Sequence, residues 1–287
     1  MQIEKVGIVG AGTMGHGIAQ VLAVAGIDVT LRDISDQLVQ NGRDAIAVNL
    51  DRLVAKGVMS AEEKVAVFSR IYATTHVGAL SEVDVVIEAA TENPDIKRRI
   101  FEELDAVVRP GAILATNTSS ISVTMLAAVT KRPEAVIGMH FMNPVPVMRL
   151  VEIIRALQTS DVTYRSIRDL TERVGKVPVC AGDSPGFISN RVLLPMVNEA
   201  VYCLYEGVGT AADIDSVMTL GMNHPLGPLA LADLIGLDVC LDIMGVLYEG
   251  FKDSKYRPCP LLVKMVEAGH LGRKSGRGFY AYGGQIS

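Results

Sequence analysis

Short apolar runs at residues 6–9, 29–32, 71–74, 83–89, 112–116, 136–140, 150–154 and 177–180 punctuate the first part of the chain. Between them apolar residues recur at helical spacing, so the pattern predicts strands joined by helical crossovers and a mostly parallel sheet. In the first crossover Met14, Ile18, Val21, Leu22 and Ala25 share one helix face, which Gly26 ends. Asn93-Pro94 opens another helix over residues 95–107: Asn can cap it, and proline sits where its missing N–H costs nothing. The interval from Asp33 to Ile71 is longer than a simple crossover requires. Leu38, Ala45, Leu50, Leu53 and Val54 fit an amphipathic helix ending at Gly57, and Ser60-Ala61-Glu62-Glu63 forms a capping box for a second one. An inserted helical hairpin projecting from the sheet is the expectation.

Past Asp183 the strand runs disappear. Ile188, Val192, Met196, Val197, Ala200, Val201 and Leu204 recur at helical spacing as far as Gly207, and Thr210-Ala211-Ala212-Asp213 caps a further helix. Residues 229–235, 238–249 and 260–268 supply more helical segments, and the glycine-rich stretch 272–280 reads as extended. Two domains are expected, an α/β domain over residues 1–183 and a smaller all-α domain over 184–287, joined at Asp183-Ser184-Pro185-Gly186.

The first strand runs into Gly10-Ala11-Gly12-Thr13-Met14-Gly15, and the second ends on Asp33. Each part has a job in holding a dinucleotide: Gly10 for the tight turn, Gly12 for access to a pyrophosphate, Gly15 for close helix–strand packing. The N–H groups opening the helix, aligned with its dipole, favour phosphate charge. Asp33 can accept hydrogen bonds from both hydroxyls of an adenosine ribose. It should repel a 2′-phosphate, so NAD is expected in preference to NADP, although the neighbouring Arg32 is a group that could receive one. The fold expectation is therefore a Rossmann-type, mostly parallel sheet with an inserted helical hairpin.

Composition narrows the setting. Of 287 residues, 49% are apolar and 21% charged, enough for a substantial core. The net charge is −5 with no basic block, which argues against nucleic acid and anionic membrane surfaces. The apolar runs are too short and broken to span a bilayer. The start, Met1-Gln2-Ile3-Glu4-Lys5, passes almost at once into the first strand and leaves no room for a signal peptide. Cys180, Cys203, Cys240 and Cys259 are widely spaced without a C-x-x-C pair, so reduced, buried thiols in a cytoplasmic protein are expected and a metal site is not.

Ligands of an open parallel sheet bind beyond the carboxyl ends of its strands. At those ends stand Glu92, the run Asn117-Thr118-Ser119-Ser120, and His140-Phe141-Met142-Asn143-Pro144. Oxidising an alcohol needs a base for the hydroxyl proton, and a histidine with its pKa of about 6.5 suits that work near neutrality. His140 is the best placed of five. His16 lies in the first turn of the glycine-loop helix, His76 and His270 sit in loop-like polar settings, and His224 is the main rival. Glu152 follows within the apolar run 150–154. If residues 141–148 turn the chain back, Glu152 falls beside His140, where a carboxylate would orient the imidazole and stabilise the imidazolium.

At these residues the chain resembles the L-3-hydroxyacyl-CoA dehydrogenase family, over essentially its whole length. The glycine loop, Asn117-Thr118-Ser119-Ser120, His140-Phe141-Met142-Asn143-Pro144, Asp183-Ser184-Pro185-Gly186-Phe187-Ile188-Ser189-Asn190-Arg191 and Gly272-Arg273-Lys274-Ser275-Gly276-Arg277-Gly278-Phe279-Tyr280 carry the likeness. The resemblance implies that His140 is the base and Glu152 its partner. Ser119 and Asn190 are similar to polar residues that contact substrate and cofactor near the reacting centre. Glu92, Lys97, Asn117, Asn143 and Lys274 match positions on the cofactor side, and Asn49 and Lys56 match positions near the nucleotide of CoA. An acyl-CoA substrate and a homodimer formed through the helical domain are implied as well. Two other readings remain open: a dehydrogenase of a free 3-hydroxy acid or sugar acid, and a non-catalytic NAD-binding protein.

Overall fold

The structure, a computed structural model, describes residues 3–283. Met1 and Gln2, read above as part of the start, and residues 284–287, assigned above to the helical domain, lie outside that range. The chain divides into two compact units, Met1–Ser184 and Pro185–Ser287.

The first unit is built on one eight-stranded sheet. Its strands are β1 (Lys5–Val9), β2 (Asp28–Arg32), β3 (Ile71–Thr74), β4 (Val85–Glu88), β5 (Ile113–Thr116), β6 (Val136–Phe141), β7 (Leu150–Arg155) and β8 (Val177–Gly182). They lie in the order β3-β2-β1-β4-β5-β6-β7-β8. Neighbours are parallel except that β7 runs antiparallel to β6. β4, β5 and β6 are buried at every position, which explains their unbroken apolar runs: helices cover both faces of a parallel sheet and leave no solvent side to alternate toward. The order reverses between β1 and β4, and the cleft at such a switch point is where an open sheet takes its ligand.

The helices of this unit are α1 (Thr13–Val24), α2 (Asp36–Ala55), α3 (Ala61–Ser69), α4 (Pro94–Val107), α5 (Val123–Ala127) and α6 (Asp161–Arg173). The expected caps are made: Asn93 accepts from Ile96 at the start of α4, and Ser60 and Glu63 form a reciprocal capping box on α3. The hairpin α2–α3 is present, but it lies against the core rather than standing clear of it. Val39, Gly42, Ile46 and Leu50 form its buried stripe, whereas Leu38 is exposed and turned to the cleft above β1. The apolar period alone could not distinguish a core stripe from one wall of a ligand cleft.

The second unit consists of α7 (Ser189–Tyr205), α8 (Ala211–Ser216), α9 (Pro228–Ile235), α10 (Leu237–Phe251) and α11 (Pro260–Glu267), with a π-helical turn over Val217–Gly221. Leu194, Val197, Ala200 and Val201 of α7 are buried in its core. Val192, also in the predicted periodic set, is 68% exposed, because α7 carries apolar residues on two sides and this core covers only one. The stretch 272–280 is not extended. It folds into a short 3-10 turn, Arg273–Ser275, closed by bridges from Arg277 to Gly272 and Ala281. The reason is the Asp233 carboxylate, buried in α9, which accepts from the Phe279 and Tyr280 amides and the Tyr282 hydroxyl. An unpaired carboxylate in that position would be costly, so the chain coils around it.

All four cysteines are free thiols. Cys240 and Cys259 are buried, but Cys203 is half-buried and Cys180 is exposed. Cys180 lies on β8, an edge strand largely open to solvent, so the expectation of a buried thiol fails there. No helix among the described residues is long and apolar enough to cross a membrane, and no cluster of three or more His, Cys, Asp or Glu residues that could hold a metal ion occurs among them.

Candidate active site

β1 ends in a turn that only glycine can make. Gly10 has a φ of +104°, and a Cβ there would meet the Ala89 carbonyl oxygen at 2.5 Å. A Cβ on Gly15 would land on the Gly10 carbonyl oxygen, whereas one on Gly12 would meet nothing within 4 Å. The loop is thus closed around Gly10 and Gly15 and open at Gly12, as a phosphate-binding turn requires. Asp33, at the end of β2, holds it: Oδ2 accepts from the Ala11 amide and Oδ1 from the Ile34 amide, both at 2.6 Å. Thr13 and Met14 open α1, and a cleft of about 550 Å³ runs past Gly12, Thr13, Met14, Asp33 and Leu38. That volume, a glycine-lined floor and helical N–H groups fit a dinucleotide such as NAD. His16 is half-buried against the loop, and burial holds it below the ordinary histidine pKa despite opposing hydrogen bonds with the Ala11 and Gly12 backbone.

The second group of residues gathers at the end of β6. The loop after Phe141 reverses the chain, so β7 returns antiparallel with Glu152 directly opposite His140. His140 Nδ1 stands 2.9 Å from Glu152 Oε2, with the two residues 8% and 1% exposed. An ionised carboxylate can only accept, so Nδ1 carries the proton and the basic lone pair lies on Nε2. Asn117 ties this strand end to β5: its Oδ1 accepts from the Phe141 amide at 2.9 Å and its own amide donates to the Glu88 carbonyl at 2.7 Å.

Between the two groups runs a polar network. Glu88 ends β4 with no exposed surface, and Lys97, on α4, is 1% exposed. The Lys97 ammonium donates to both Glu88 oxygens, at 2.7 and 2.8 Å, and lies 3.3 Å from Glu92 Oε2. The Thr116 hydroxyl and the Ala90 amide complete the Glu88 carboxylate. Glu92 Oε1 in turn accepts from the Thr118 hydroxyl and, at 2.8 and 3.2 Å, from the Ser119 amide and hydroxyl. Burial favours the neutral form of Glu92. The Lys97 charge, the Thr118 hydroxyl and the Ser119 amide outweigh it and hold the carboxyl below the usual glutamate range. Lys97, expected at the cofactor, is thus buried between Glu88 and Glu92. Sequence reasoning passed over Glu88, although a glutamate closing the run Val85-Val86-Ile87 bears the same signal that singled out Glu152.

Asn143 sits in the β6–β7 loop, where its bond to Pro144 is cis. Asn49 is half-buried on α2, and the exposed Lys56 caps the end of that helix. In the second unit, Asn190 lies in the first turn of α7, its amide donating to the Gly186 carbonyl at 3.1 Å. Lys274 donates to Asp238 at 2.6 Å in the turn organised by Asp233. The rival His224 also belongs to this unit, half-buried before Pro225.

Residues 5–184 match the family model for the 3-hydroxyacyl-CoA dehydrogenase NAD binding domain, and residues 186–282 match the model for the C-terminal domain of the same enzymes. The chain belongs to the 3-hydroxyacyl-CoA dehydrogenase family. The resemblance read from the motifs is thereby established, and the enzyme is an NAD-binding oxidoreductase of this family. It is 56% identical over 282 residues to a 3-hydroxybutyryl-CoA dehydrogenase of Bradyrhizobium diazoefficiens, covering 98% of this chain and 96% of that one. Against a probable 3-hydroxybutyryl-CoA dehydrogenase of Bacillus subtilis the identity is 54%, with 98% of each chain covered. The crystal structure of (S)-3-hydroxybutyryl-CoA dehydrogenase PaaH1 from Ralstonia eutropha superposes with a TM-score of 0.97 at 53% identity, covering 99% of this dehydrogenase and all of that chain.

Proposed function

We propose that this dehydrogenase catalyses the reversible oxidation of (S)-3-hydroxyacyl-CoA to 3-ketoacyl-CoA, with 3-hydroxybutyryl-CoA as its principal substrate and NAD rather than NADP as its cofactor. The observation that carries the reading is the buried His140–Glu152 pair at 2.9 Å, at the carboxyl end of a sheet whose switch point bears the glycine loop. The names of the full-length relatives favour the four-carbon thioester.

When bound, NAD supplies the nicotinamide C4 as hydride acceptor. Gly10, Ala11, Gly12, Thr13, Met14 and Gly15 would hold its pyrophosphate and Asp33 its adenosine ribose. Glu92, Asn117, Ser119, Asn143 and Lys274 would face its nicotinamide half, with Lys97 orienting Glu92 from below. His140 Nε2 takes the proton of the 3-hydroxyl in oxidation and returns it in reduction, and Glu152 stabilises the imidazolium in between. The Ser119 hydroxyl and the Asn190 amide are suited to bond the 3-oxygen or the thioester carbonyl without competing as bases. Asn49 and Lys56 would attend the CoA nucleotide, where an ammonium attracts phosphate. The 2′-phosphate of NADP would face the Asp33 carboxylate, which disfavours it. In this reading residues 1–183 bind the dinucleotide and also carry His140, Ser119, Asn49 and Lys56 for the substrate, while residues 184–287 add Asn190 to the substrate contacts and form the dimer. An apolar groove of about 490 Å³ between α7 and α8, lined by Met196, Ala200, Cys203, Val208, Ile214 and Val217, supports a homodimer through that unit. The free thiols suit a reducing compartment, so the reading is of a cytoplasmic enzyme, and the net charge of −5 disfavours nucleic acid and anionic membranes as partners.

The test is an initial-rate assay of NADH and NADPH oxidation over a C4 to C16 series of 3-ketoacyl-CoA substrates, with acetoacetate alongside. Turnover of acetoacetyl-CoA with NADH is the expected result. Equal rates on acetoacetate would move the enzyme to the free-acid class, and no hydride transfer to any acyl-CoA would reject the reading. Replacing Glu152 by Gln keeps an acceptor for Nδ1–H but removes the charge. Turnover should fall by roughly 10- to 100-fold with normal folding; a parental rate would make Glu152 purely structural.

A further inference from the structure

The loop that turns β6 back into β7 has no regular secondary structure, yet it carries Asn143 and sets the register that brings Glu152 to His140. Two features outside the loop hold it. Lys176, at the turn between α6 and β8, is only 8% exposed. Its ammonium donates to the Val145 carbonyl at 2.6 Å and the Met148 carbonyl at 2.7 Å. It makes no ion pair among the described residues, so those carbonyls are its compensation for leaving water. On the other side the loop rests on α1. A Cβ on Gly17 would stand 2.9 Å from Val145 Cβ, so the contact exists only because that helical position bears no side chain.

We propose that Lys176 is a positioning residue for the reaction: with Gly17 as the seat, its ammonium clamps the β6–β7 loop, holding Asn143 on the cofactor side and the His140–Glu152 pair in register. A buried lysine is an expensive way to close a turn, since an ammonium loses far more hydration than a neutral donor. Burial alone pushes this ammonium below the usual lysine pKa, with no charged group acting on it. The bonds it makes are charge-assisted and correspondingly strong. Within the loop only the Val147 and Met148 amides, both donating to the Pro144 carbonyl, hold it from inside. From outside, the clamp is joined by one backbone bond, from the Val177 amide to the Arg149 carbonyl at 2.7 Å. The consequence for turnover rests on the assignment of His140 and Asn143 above; the ordering of the loop does not.

The experiment pairs hydrogen exchange with kinetics on Lys176→Met, Lys176→Arg and Gly17→Ala in the full-length enzyme. In Lys176→Met the Val147 and Met148 amides should exchange roughly tenfold faster or more, with α1 and β1 amides unchanged. Acetoacetyl-CoA turnover should fall about 10- to 100-fold with NADH affinity weakened, while KM for the thioester holds. Lys176→Arg, which keeps two charged donors, should recover much of both. Gly17→Ala leaves Lys176 intact and favours the helix, yet it should displace Val145 and reproduce the same exchange and kinetic pattern. It also serves as the readout should Lys176→Met fail to fold. Unchanged exchange at Val147 and Met148 overturns the clamp. Faster exchange with turnover within about threefold of the parent overturns the positioning role. A parent inactive on every acyl-CoA overturns the proposed function and the turnover claim with it, leaving the clamp to be judged by exchange alone.

Discussion

Turnover of the His140→Ala enzyme should fall by roughly 10²–10⁴-fold, with little change in NAD affinity. The asymmetry follows from the fold. The glycine loop and Asp33 lie at the ends of β1 and β2, while His140 is the penultimate residue of β6, three strands from β1 in the sheet. On the proposed function, removing the imidazole leaves the 3-hydroxyl without its proton acceptor. It also removes a hydrogen-bond partner 2.9 Å from Glu152 Oε2, in a residue 1% exposed, so some loss of stability is expected alongside. Single-turnover kinetics and NADH titration on the same preparation separate the two effects. Turnover within about threefold of the parent would remove His140 from the chemistry.

Stability should suffer most in Lys97→Met. Glu88 has no exposed surface, and the ammonium spans both of its oxygens. With the lysine gone, only the Thr116 hydroxyl and the Ala90 amide remain for a fully buried carboxylate. Breaking a buried pair from one side costs about 3–5 kcal/mol, whereas replacing both partners with apolar groups of similar size is often near neutral. Urea denaturation of Lys97→Met, Glu88→Met and the double variant forms the cycle that measures this. The double variant should recover most of the loss but not the NADH affinity, because Glu92, proposed above to face the cofactor, would still lack the Lys97 ammonium 3.3 Å away that lowers its pKa. A loss below about 1 kcal/mol in Lys97→Met would mean that the pair is not buried in solution as it is here.

Which residues would carry chemistry was legible to very different degrees. Gly10 and Gly15 could be read outright, because a tight strand-to-helix turn leaves a Cβ nowhere to go, and that constraint is local. Glu152 could be read as needing a partner, since a glutamate inside an apolar strand run is unaffordable alone. Its partner could be named only on the condition that the chain reversed after Phe141. Lys97 could be matched to the cofactor side only through the resemblance, and the sequence named no partner for its charge. Only the packing of α4 against β4 reveals that its ammonium is enclosed by Glu88. Lys176 gave no signal at all, because its partners are backbone carbonyls and any residue at Val145 or Met148 would supply them.

Periodicity, glycine placement and capping boxes are properties of neighbouring residues, so the amino-acid order by itself determined the strands and helices, the nucleotide turn and the change from α/β to all-α near Asp183. Whether an apolar residue faces a core or lies open, as Leu38 and Val192 do in contrast to Val39 and Val197, depends on what packs opposite it. The tertiary structure alone decided that. It also decided the enclosure of Lys97, the coiling of the 272–280 turn around Asp233 and the bonding of Lys176 to the β6–β7 loop. Each of these turns on the cost of burying charge or polar atoms among partners far away in the chain, and no local pattern encodes distance in space.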